Sequence, residues 1–221
     1  MRKVIIFGTG DFAQLACIYM RNDSSYEIAG FTVHKDRISE KEVLGLNVIP
    51  FEELESNYPP EQFGIFVAVG YKRVNMARAE IYEICKSKGY ELVSYINSRT
   101  SHWGEIEIGE NCFIFEENVI QPFVRIGNNV IIWSGNHIGH HSQIGDHCFI
   151  ASHAVISGHV TIGPYCFIGV NATFREGIKI APKCVIGAGA VILKNTKEEG
   201  VYGAKSTEAA SILSSQLRMF K

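Results

Sequence analysis

Isoleucine recurs at every sixth residue through the second half of the chain. Of the fifteen positions spaced by six from 108 to 192, fourteen hold Ile, and the exception is Phe174. No α-helix and no ordinary series of hairpins has a six-residue period, whereas a parallel β-helix with three short faces per coil does. The spacing predicts inward-facing Ile side chains and coils of eighteen residues, over 108–125, 126–143, 144–161, 162–179 and 180–197.

The N-terminal part of the chain follows a different pattern, in which apolar runs alternate with amphipathic stretches. Strands are predicted at Lys3–Phe7, Tyr26–Val33, Ile65–Val69 and Leu92–Ile96, and a helix is predicted over Asn75–Lys88. Strands that alternate with helices indicate a small parallel α/β sheet of Rossmann-like type.

Three units are therefore expected along the chain. The α/β domain spans 1–100, the β-helix spans 101–205, and a C-terminal capping helix spans 206–221. The Ala, Ile, Leu and Phe residues from Thr207 to Phe220 have the spacing of an amphipathic helix. Such a helix would cover one open end of the β-helix, and the α/β domain would cover the other.

Four of the six cysteines lie at the same place in the repeat. Cys112, Cys148, Cys166 and Cys184 each follow a repeat Ile by four residues, and Val130 fills the missing place. Four thiols in one column are compatible with a metal site. A core column of small apolar side chains explains them better, because Val serves equally well and no C-x-x-C pair occurs. No metal is expected there.

Charge and hydropathy limit the classes of partner. A net charge of -2 argues against electrostatic binding to nucleic acid or to an anionic membrane. No stretch approaches the length of apolar sequence that a membrane span needs. The apolar run Val4–Phe7 is too short for a signal peptide. The expectation is a cytoplasmic protein without membrane insertion.

A glycine-rich turn follows the first predicted strand and opens a helix. In Gly8-x-Gly10-x-x-Ala13, backbone amides and a helix N-terminus are placed as in sites that hold phosphate. The motif alone is compatible with NAD, but this domain supplies only about half of a dinucleotide-binding sheet. It is also compatible with a tight turn that binds nothing.

Seven of the eight histidines lie between 102 and 159, and most are explained as solvated corner residues. His140 and His141 are the exception, because counting eighteen residues onward stacks Gly158 on His140 and His159 on His141. A histidine suits the removal of a proton from an attacking amine. A backbone N–H beside it suits stabilisation of an oxyanion, and a glycine permits close approach of a ligand.

Two groups of motifs carry a resemblance to a known family. Hexads such as Ile126-Gly-Asn-Asn-Val130 and Ile162-Gly-Pro-Tyr-Cys166 resemble the hexapeptide-repeat acyltransferases, which implies a left-handed β-helix. Together with Gly8-Thr-Gly-Asp-Phe-Ala13, the segment Ile138-Gly-His-His-Ser-Gln-Ile-Gly145 resembles the bacterial nucleotide-sugar N-acetyltransferases of the PglD, VioB and NeuD group. The resemblance implies a homotrimer that binds acetyl-CoA, the acetyl donor, between neighbouring β-helices.

The resemblance also implies roles for particular residues. His140 is the general base, His141 stands where relatives often carry Glu, and the Gly158 amide binds the acetyl carbonyl. The implied contacts of acetyl-CoA are Gly158, Ile168, Gly169, Ile186 and Gly187. The implied contacts of the nucleotide-sugar substrate are Gly8, Gly10, Asp11, His34, Lys35, Asp36, Gly70, Tyr71 and Lys72.

The resulting hypothesis is acetyl-CoA-dependent N-acetylation of a nucleotide-linked 4-amino-4,6-dideoxy-sugar in glycan or O-antigen biosynthesis. The segment from Asn136 to Asp146 resembles the viosamine acetyltransferases, which favours dTDP-4-amino-4,6-dideoxyglucose. The same residues would serve O-acetylation of a sugar or of sialic acid. Other classes also remain: a β-helix carbonic anhydrase with zinc on His141 and His159, and a non-catalytic protein that binds sugar nucleotides.

Overall fold

The computed structural model describes residues 2–209 and 211–216, and its N-terminal part is an α/β domain. The elements of this part are β1 Lys3–Phe7, α1 Asp11–Asp23, β2 Glu27–Val33, a 3-10 helix Lys35–Arg37, β3 Glu42–Val43, β4 Leu46–Pro50, a 3-10 helix Phe51–Glu53, α2 Leu54–Asn57, β5 Phe63–Val67, α3 Met76–Ser87 and β6 Glu91–Leu92. Strands β3 and β4 and helix α2 were not predicted from the sequence.

The sheet of this domain has the strand order β3-β4-β2-β1-β5-β6. All its pairs are parallel except the edge pair β3–β4. Side chains of β1 alternate between two hydrophobic cores, with Val4 and Ile6 beside α1, and Ile5 and Phe7 beside α3. Burial on both faces explains the nearly continuous apolar run of this strand. Within the described residues, no helix is long and apolar enough to cross a membrane.

From residue 95 the chain forms three sheets of two-residue parallel strands. Face 1 contains Tyr95–Ile96, Phe113–Ile114, Ile131–Ile132, Phe149–Ile150, Phe167–Ile168, Val185–Ile186 and Val201–Tyr202. Face 2 contains Ser101–His102, Val119–Ile120, His137–Ile138, Val155–Ile156, Thr173–Phe174 and Val191–Ile192. Face 3 contains Glu107–Ile108, Arg125–Ile126, Gln143–Ile144, Thr161–Ile162 and Lys179–Ile180.

The eighteen-residue coil is the observed repeat, as in the pairing of Ile114 with Ile132 and of Ile132 with Ile150. Nearly all the repeat isoleucines are buried in one continuous core. These features confirm the predicted fold class, a small Rossmann-like sheet followed by a parallel β-helix. The last pairing is two residues shorter, because Val185 pairs with Val201.

The junction between the two parts differs from the sequence-based boundary at residue 100. The predicted strand Leu92–Ile96 is divided, because Leu92 pairs with β5 while Tyr95–Ile96 pairs with Phe113–Ile114 of the β-helix. The first coil of the β-helix therefore begins inside the segment assigned to the α/β domain. Two adjoining two-residue strands resemble one longer apolar run in the sequence, which explains the difference.

Each corner of the β-helix contains a residue in the left-handed conformation, three residues after a repeat position. His141, His147, His153 and His159 all have this conformation, with φ between 57° and 62°. Histidine is among the residues that are enriched in the left-handed region. Corner geometry thus accounts for four of the eight histidines as turn residues, of which His147 is buried and the other three are exposed. The left-handed conformation of these corners was not predicted from the sequence.

The cysteine column is observed, and it has a polar as well as an apolar role. Cys112, Cys148, Cys166 and Cys184 are all completely buried and free of disulfides. Each thiol lies 3.1–3.2 Å from a backbone carbonyl oxygen, such as that of Gly127 for Cys112 and that of Gly163 for Cys148. Burial raises the pKa of Cys112 to about 12, so this thiol stays protonated and can donate.

Arg78 of α3 joins the two parts of the chain. Its side chain is completely buried, and its Nη2 donates to the carbonyl oxygens of His147 and Cys148, each at 3.0 Å. Its Nη1 donates to Gly70 O at 2.9 Å, and its Nε donates to Asn129 Oδ1 at 3.1 Å. Burial lowers the pKa of Arg78 to about 10, so it is still charged at neutral pH.

The tail differs from the predicted helix over Thr207 to Phe220. In its described part, residues 206–209 form no regular element, and only Ser214–Gln216 form a 3-10 helix. Residues 210 and 217–221 lie outside the described residues, so a helix there stays a prediction. Ile212 and Leu213 are 49% and 68% exposed, so the described residues of this chain do not cover their apolar side chains. Without such a surface a short helix is marginal in water.

Replacement of Arg78 by Met should destabilise the protein, because several buried carbonyl groups lose their donors. We expect a loss of about 2–4 kcal/mol in the free energy of unfolding. Urea denaturation at one fixed protein concentration measures it. Arg125→Met is the control, since Arg125 is exposed and pairs with Glu107 only at the surface. An unfolding curve for Arg78→Met that superimposes on that of Arg125→Met would contradict this role.

Replacement of Gly163 by Ala should also destabilise the β-helix. A Cβ at Gly163 would lie 2.7 Å from the Pro182 N of the next coil. We expect a cost of about 1–3 kcal/mol from this overpacking. At Gly203 a Cβ would meet no atom within 4 Å, so Gly203→Ala should leave the melting temperature unchanged. Equal melting temperatures for the two variants would refute the steric argument.

Candidate functional site

A cluster of three histidines lies on the edge of the β-helix between faces 2 and 3. The chain leaves Ile138 through Gly139, where a Cβ would lie 2.5 Å from the Gly158 N of the next coil. The next residue, His140, has its amide bound to Gln121 Oε1 at 2.9 Å. His141 then turns left-handed with a φ of 58°. Close stacking of two coils therefore places both imidazoles outside the core, where both are exposed.

His140 and Gly158 lie together, as the spacing predicts. A Cβ on Gly158 would lie 2.8 Å from His140 Cε1 and 2.9 Å from His140 Nε2. Any side chain at this position would thus displace the imidazole. No hydrogen bond from the Gly158 amide is found among the described residues, so this N–H is available to a ligand.

His141 lies on the other side of the His140 ring. The two Nδ1 atoms are 3.1 Å apart, which is a hydrogen-bonding distance when one nitrogen carries the proton. In the left-handed column, Phe123, His141 and His159 follow one another at intervals of one coil. The rings of His141 and His159 are stacked with centroids 4.9 Å apart, and those of Phe123 and His141 are 4.7 Å apart.

A groove of about 600 Å³ opens beside this cluster. It is lined by Gly104, Glu105, Ile106, Glu107, Phe123, Val124, Arg125, His141, Gln143 and His159. His140 and Gly158 do not line the groove themselves, but His141, which contacts His140, does. The edge therefore has a potential base and a backbone donor next to a groove that can hold a substrate. This combination suits a reaction in which a nucleophile loses a proton while an oxyanion forms.

The other residues predicted to contact acetyl-CoA lie elsewhere. Ile168 and Ile186 belong to face 1 and are completely buried. Gly169 and Gly187 follow them on the edge between faces 1 and 2, whereas Gly158 is on the edge between faces 2 and 3. One chain therefore does not bring these residues into a single groove. Consecutive hexads lie on the three edges of the β-helix in turn, so glycines from adjacent hexads lie on different edges.

A second cavity, of about 520 Å³, lies at the carboxyl ends of β1, β2 and β5. Ligands of open α/β sheets bind at this position. The predicted contacts Gly8, His34 and Lys72 line this cavity. The other lining residues are Phe7, Thr9, Val33, Arg37, Val69, Arg73, Ala77, Glu80 and Ile81.

The two glycines of the phosphate-type turn have different roles. Gly8 has a φ of +119°, and a Cβ there would lie 2.8 Å from Ala68 O, so the turn itself requires glycine. At Gly10, which caps α1, a Cβ would meet nothing within 4 Å. Gly10 thus leaves open space at the N-terminus of α1, as a bound phosphate would require. Asp11 opens the helix and is exposed.

His34 is oriented by a residue that the sequence did not reveal. His34 Nδ1 lies 2.8 Å from Glu52 Oε1, and the Lys35 amide donates to Glu52 Oε2 at 3.0 Å. The hydrogen bond with His34 is the main cause that lowers the pKa of the Glu52 carboxyl. Glu52 follows the unpredicted strand β4, and no motif marked it.

Several residues predicted to contact the nucleotide do not line this cavity. They are Gly10, Asp11, Lys35, Asp36, Gly70 and Tyr71. Lys35 and Asp36 lie in an exposed 3-10 helix. The Gly70 carbonyl is held by Arg78, and the Tyr71 ring packs on Phe149 of the β-helix at 4.9 Å. Gly70 and Tyr71 are thus occupied by contacts to α3 and to the β-helix, respectively.

Two cationic residues of the cavity were missed. Arg37 follows β2 and Arg73 follows Lys72, so both lie just beyond the carboxyl end of a strand. Their position next to predicted residues is the signal that would have identified them. Arg73 forms a salt bridge with Glu80, which also lines the cavity.

Two family models match the chain. The PglD N-terminal domain matches residues 3–84, and the bacterial transferase hexapeptide repeat matches residues 105–140, 123–158 and 159–194. Together they account for most of the chain. None of the curated proteins compared with the chain matches it.

Solved structures are similar over nearly the full length. PerB from Caulobacter crescentus, in complex with CoA and GDP-perosamine, has a TM-score of 0.82 at 22% identity, covering 92% of this chain and 95% of that chain. The acetyltransferase domain of PglB from Neisseria gonorrhoeae has a TM-score of 0.79 at 25% identity, and the match covers 92% of this chain and 97% of that chain. WeeI from Acinetobacter baumannii has a TM-score of 0.79 at 18% identity, and the match covers 91% of this chain and 96% of that chain.

The two family models and the shared fold agree with the resemblance seen in the sequence motifs. The chain belongs to the hexapeptide-repeat acyltransferases, in the group of nucleotide-sugar N-acetyltransferases that carry a PglD-type N-terminal domain.

Proposed function

We propose that this protein transfers an acetyl group from acetyl-CoA to the amine of a nucleotide-linked 4-amino-4,6-dideoxy-sugar. The observation that carries the proposal is the contact between the His140 imidazole and Gly158, whose amide has no partner among the described residues. The PglB acetyltransferase domain, which is 25% identical to this chain, has been solved in complex with acetyl coenzyme A. PerB has been solved with CoA and GDP-perosamine.

In the proposed reaction, the sugar amine attacks the thioester carbonyl carbon directly. His140 Nε2 accepts the amine proton as the C–N bond forms. The Gly158 N–H donates to the carbonyl oxygen as it becomes an oxyanion. The C–S bond then breaks, and the departing CoA sulfur takes the proton from the imidazolium. No covalent enzyme intermediate is required.

His141 is proposed to orient the base. If His140 Nδ1 donates its proton to His141 Nδ1, the lone pair of His140 lies on Nε2, the atom that faces Gly158. A hydrogen bond at one ring nitrogen determines which tautomer the other nitrogen presents. His141 would thereby replace the Glu that resembling enzymes often carry at this position.

A homotrimer is proposed because one chain does not contain a complete site. The aromatic side chains of face 1, such as Phe113 and Phe149, share a core with the α/β domain. The histidine edge lies between faces 2 and 3, on the opposite side of the triangular prism. The nucleotide cavity and the base of one chain are thus separated by the β-helix. A neighbouring copy would bring a base to the cavity and join the edges of Gly158 and Gly169 into one groove.

The nucleotide-sugar is proposed to bind in the cavity beside Gly8, His34 and Lys72. The cavity volume of about 520 Å³ is within the ordinary range for small-molecule sites. The preferred substrate is proposed to be dTDP-4-amino-4,6-dideoxyglucose. A thermal-shift panel of dTDP-, UDP- and GDP-linked aminosugars tests which nucleobase is preferred. The largest stabilisation should come from the dTDP compound.

Replacement of His140 by Ala tests the base. The kcat/KM for an aminosugar nucleotide should fall by about 10²–10⁴-fold. His153→Ala is the matched control, since His153 is an exposed corner histidine that lies outside the cluster of His140, His141 and His159. A kcat/KM within a few-fold of wild type for His140→Ala would exclude a general base at this position. Lability of the product to hydroxylamine would instead indicate an ester and thus O-acetylation.

Replacement of Lys72 by Met tests the nucleotide cavity. Loss of a charged contact to phosphate should raise the KM for the nucleotide-sugar by about tenfold. The KM for acetyl-CoA should not change. Lys3→Met is the control, because Lys3 begins β1 at the opposite end of the same sheet. If the two variants changed the KM for the nucleotide-sugar equally, or if only the KM for acetyl-CoA changed, the nucleotide would have to bind elsewhere.

A further inference from the structure

Three imidazoles converge on one side of the β-helix. His140, His141 and His159 each offer a ring nitrogen, and these nitrogens all lie within 4.8 Å of one another. All three side chains are exposed, so the cluster is open to solutes. Within the part of the chain that the structure describes, this is the one group of such residues with the geometry of a metal site.

The spacing of the nitrogens fits a tetrahedral transition metal. Zn–N bonds of about 2.0–2.1 Å at a tetrahedral angle place two imidazole nitrogens ~3.3 Å apart. The Nδ1 atoms of His140 and His141 are 3.1 Å apart, so these two rings already have nearly the required separation. His159 is stacked on His141 with an interplanar angle of 17°, and rotation of an exposed ring would bring its nitrogen to the ion.

Other histidines of the β-helix do not form such a group. His147 is buried, and its Nδ1 is 2.9 Å from Asn129 Nδ2, so that nitrogen already has a partner. His153 is exposed in the same left-handed corner conformation as His159, but it belongs to no cluster of potential ligands. The three-histidine group results from two adjacent histidines and a third placed eighteen residues later.

We propose that His140, His141 and His159 bind one Zn²⁺ ion per chain, with water in the remaining position. Neutral imidazole is a preferred ligand of Zn²⁺, and three such ligands with an open position make a sufficient set. When Nδ1 of a neutral His140 is bound to zinc, the ring proton lies on Nε2, so Nε2 can no longer accept the amine proton. Zinc and acetyl transfer therefore exclude each other, and zinc is a reversible inhibitor. The inhibition rests on the proposed function, whereas the binding of Zn²⁺ does not.

Binding is tested first with Zn²⁺ alone, by isothermal titration of the full chain. We expect one ion per chain for the wild-type protein and none for Mg²⁺, which prefers oxygen ligands. His159→Gln should weaken Zn²⁺ binding by at least about tenfold. His153→Gln is the matched corner control and should bind like wild type. Absent Zn²⁺ binding, or equal affinities for wild type and His159→Gln, would overturn the proposal.

Inhibition is tested by the ratio of rates with and without Zn²⁺, which removes any effect of a variant on the basal rate. Zn²⁺ should inhibit wild type, and EDTA should restore the rate. The Zn²⁺ concentration for half inhibition should rise for His159→Gln and should not rise for His153→Gln. If no acetyl transfer is found at all, the proposed function fails while the titration still decides the metal site. If Zn²⁺ binds as expected but leaves the rate unchanged, the inhibitory role is refuted.

Discussion

Successive coils of the β-helix lie backbone against backbone, and this close stacking determines which residues can occupy each corner. A Cβ at Gly139 would lie 2.5 Å from the Gly158 N, so the residue after Ile138 must be glycine. Two residues later the chain turns left-handed, which excludes β-branched residues and favours Gly, Asn or His. The packing thus permits histidine at 141, whereas Phe123 and Tyr165 occupy the equivalent corner position in other hexads. The contact that forbids a side chain at 139 also brings the next coil within reach of the His140 ring.

The junction between the two parts depends on a buried guanidinium that has carbonyl partners rather than a carboxylate. Arg78 donates to carbonyls of the β-helix and, through Nη1, to Gly70 in the loop after β5. Planar donors in several directions allow one side chain to serve both surfaces, which lysine cannot do. Because this loop continues to Lys72, Arg78 also positions one wall of the cavity at the carboxyl ends of β1, β2 and β5 relative to face 1.

Features that follow the repeat could be predicted from the sequence, because residues eighteen positions apart are in contact on neighbouring coils. This rule gave the isoleucine core, the cysteine column and the contact of His140 with Gly158. Counting hexads in threes would also have shown that Gly169 lies on another edge. Contacts outside the repeat were not predictable. The pair His34–Glu52 and the bonds of Arg78 join segments whose proximity depends on the folded sheet and not on any period.

Histidine at position 141 changes the chemistry of the edge relative to a carboxylate. A carboxylate would stabilise the imidazolium of His140 by an ion pair, whereas a neutral imidazole supplies one hydrogen bond. Neutral imidazole is also the form that binds transition metals. The proposed orientation of the base and the proposed affinity for an ion thus depend on the same nitrogen pair. The ring of His159 is stacked on that of His141 with centroids 4.9 Å apart, which places a third imidazole beside this pair.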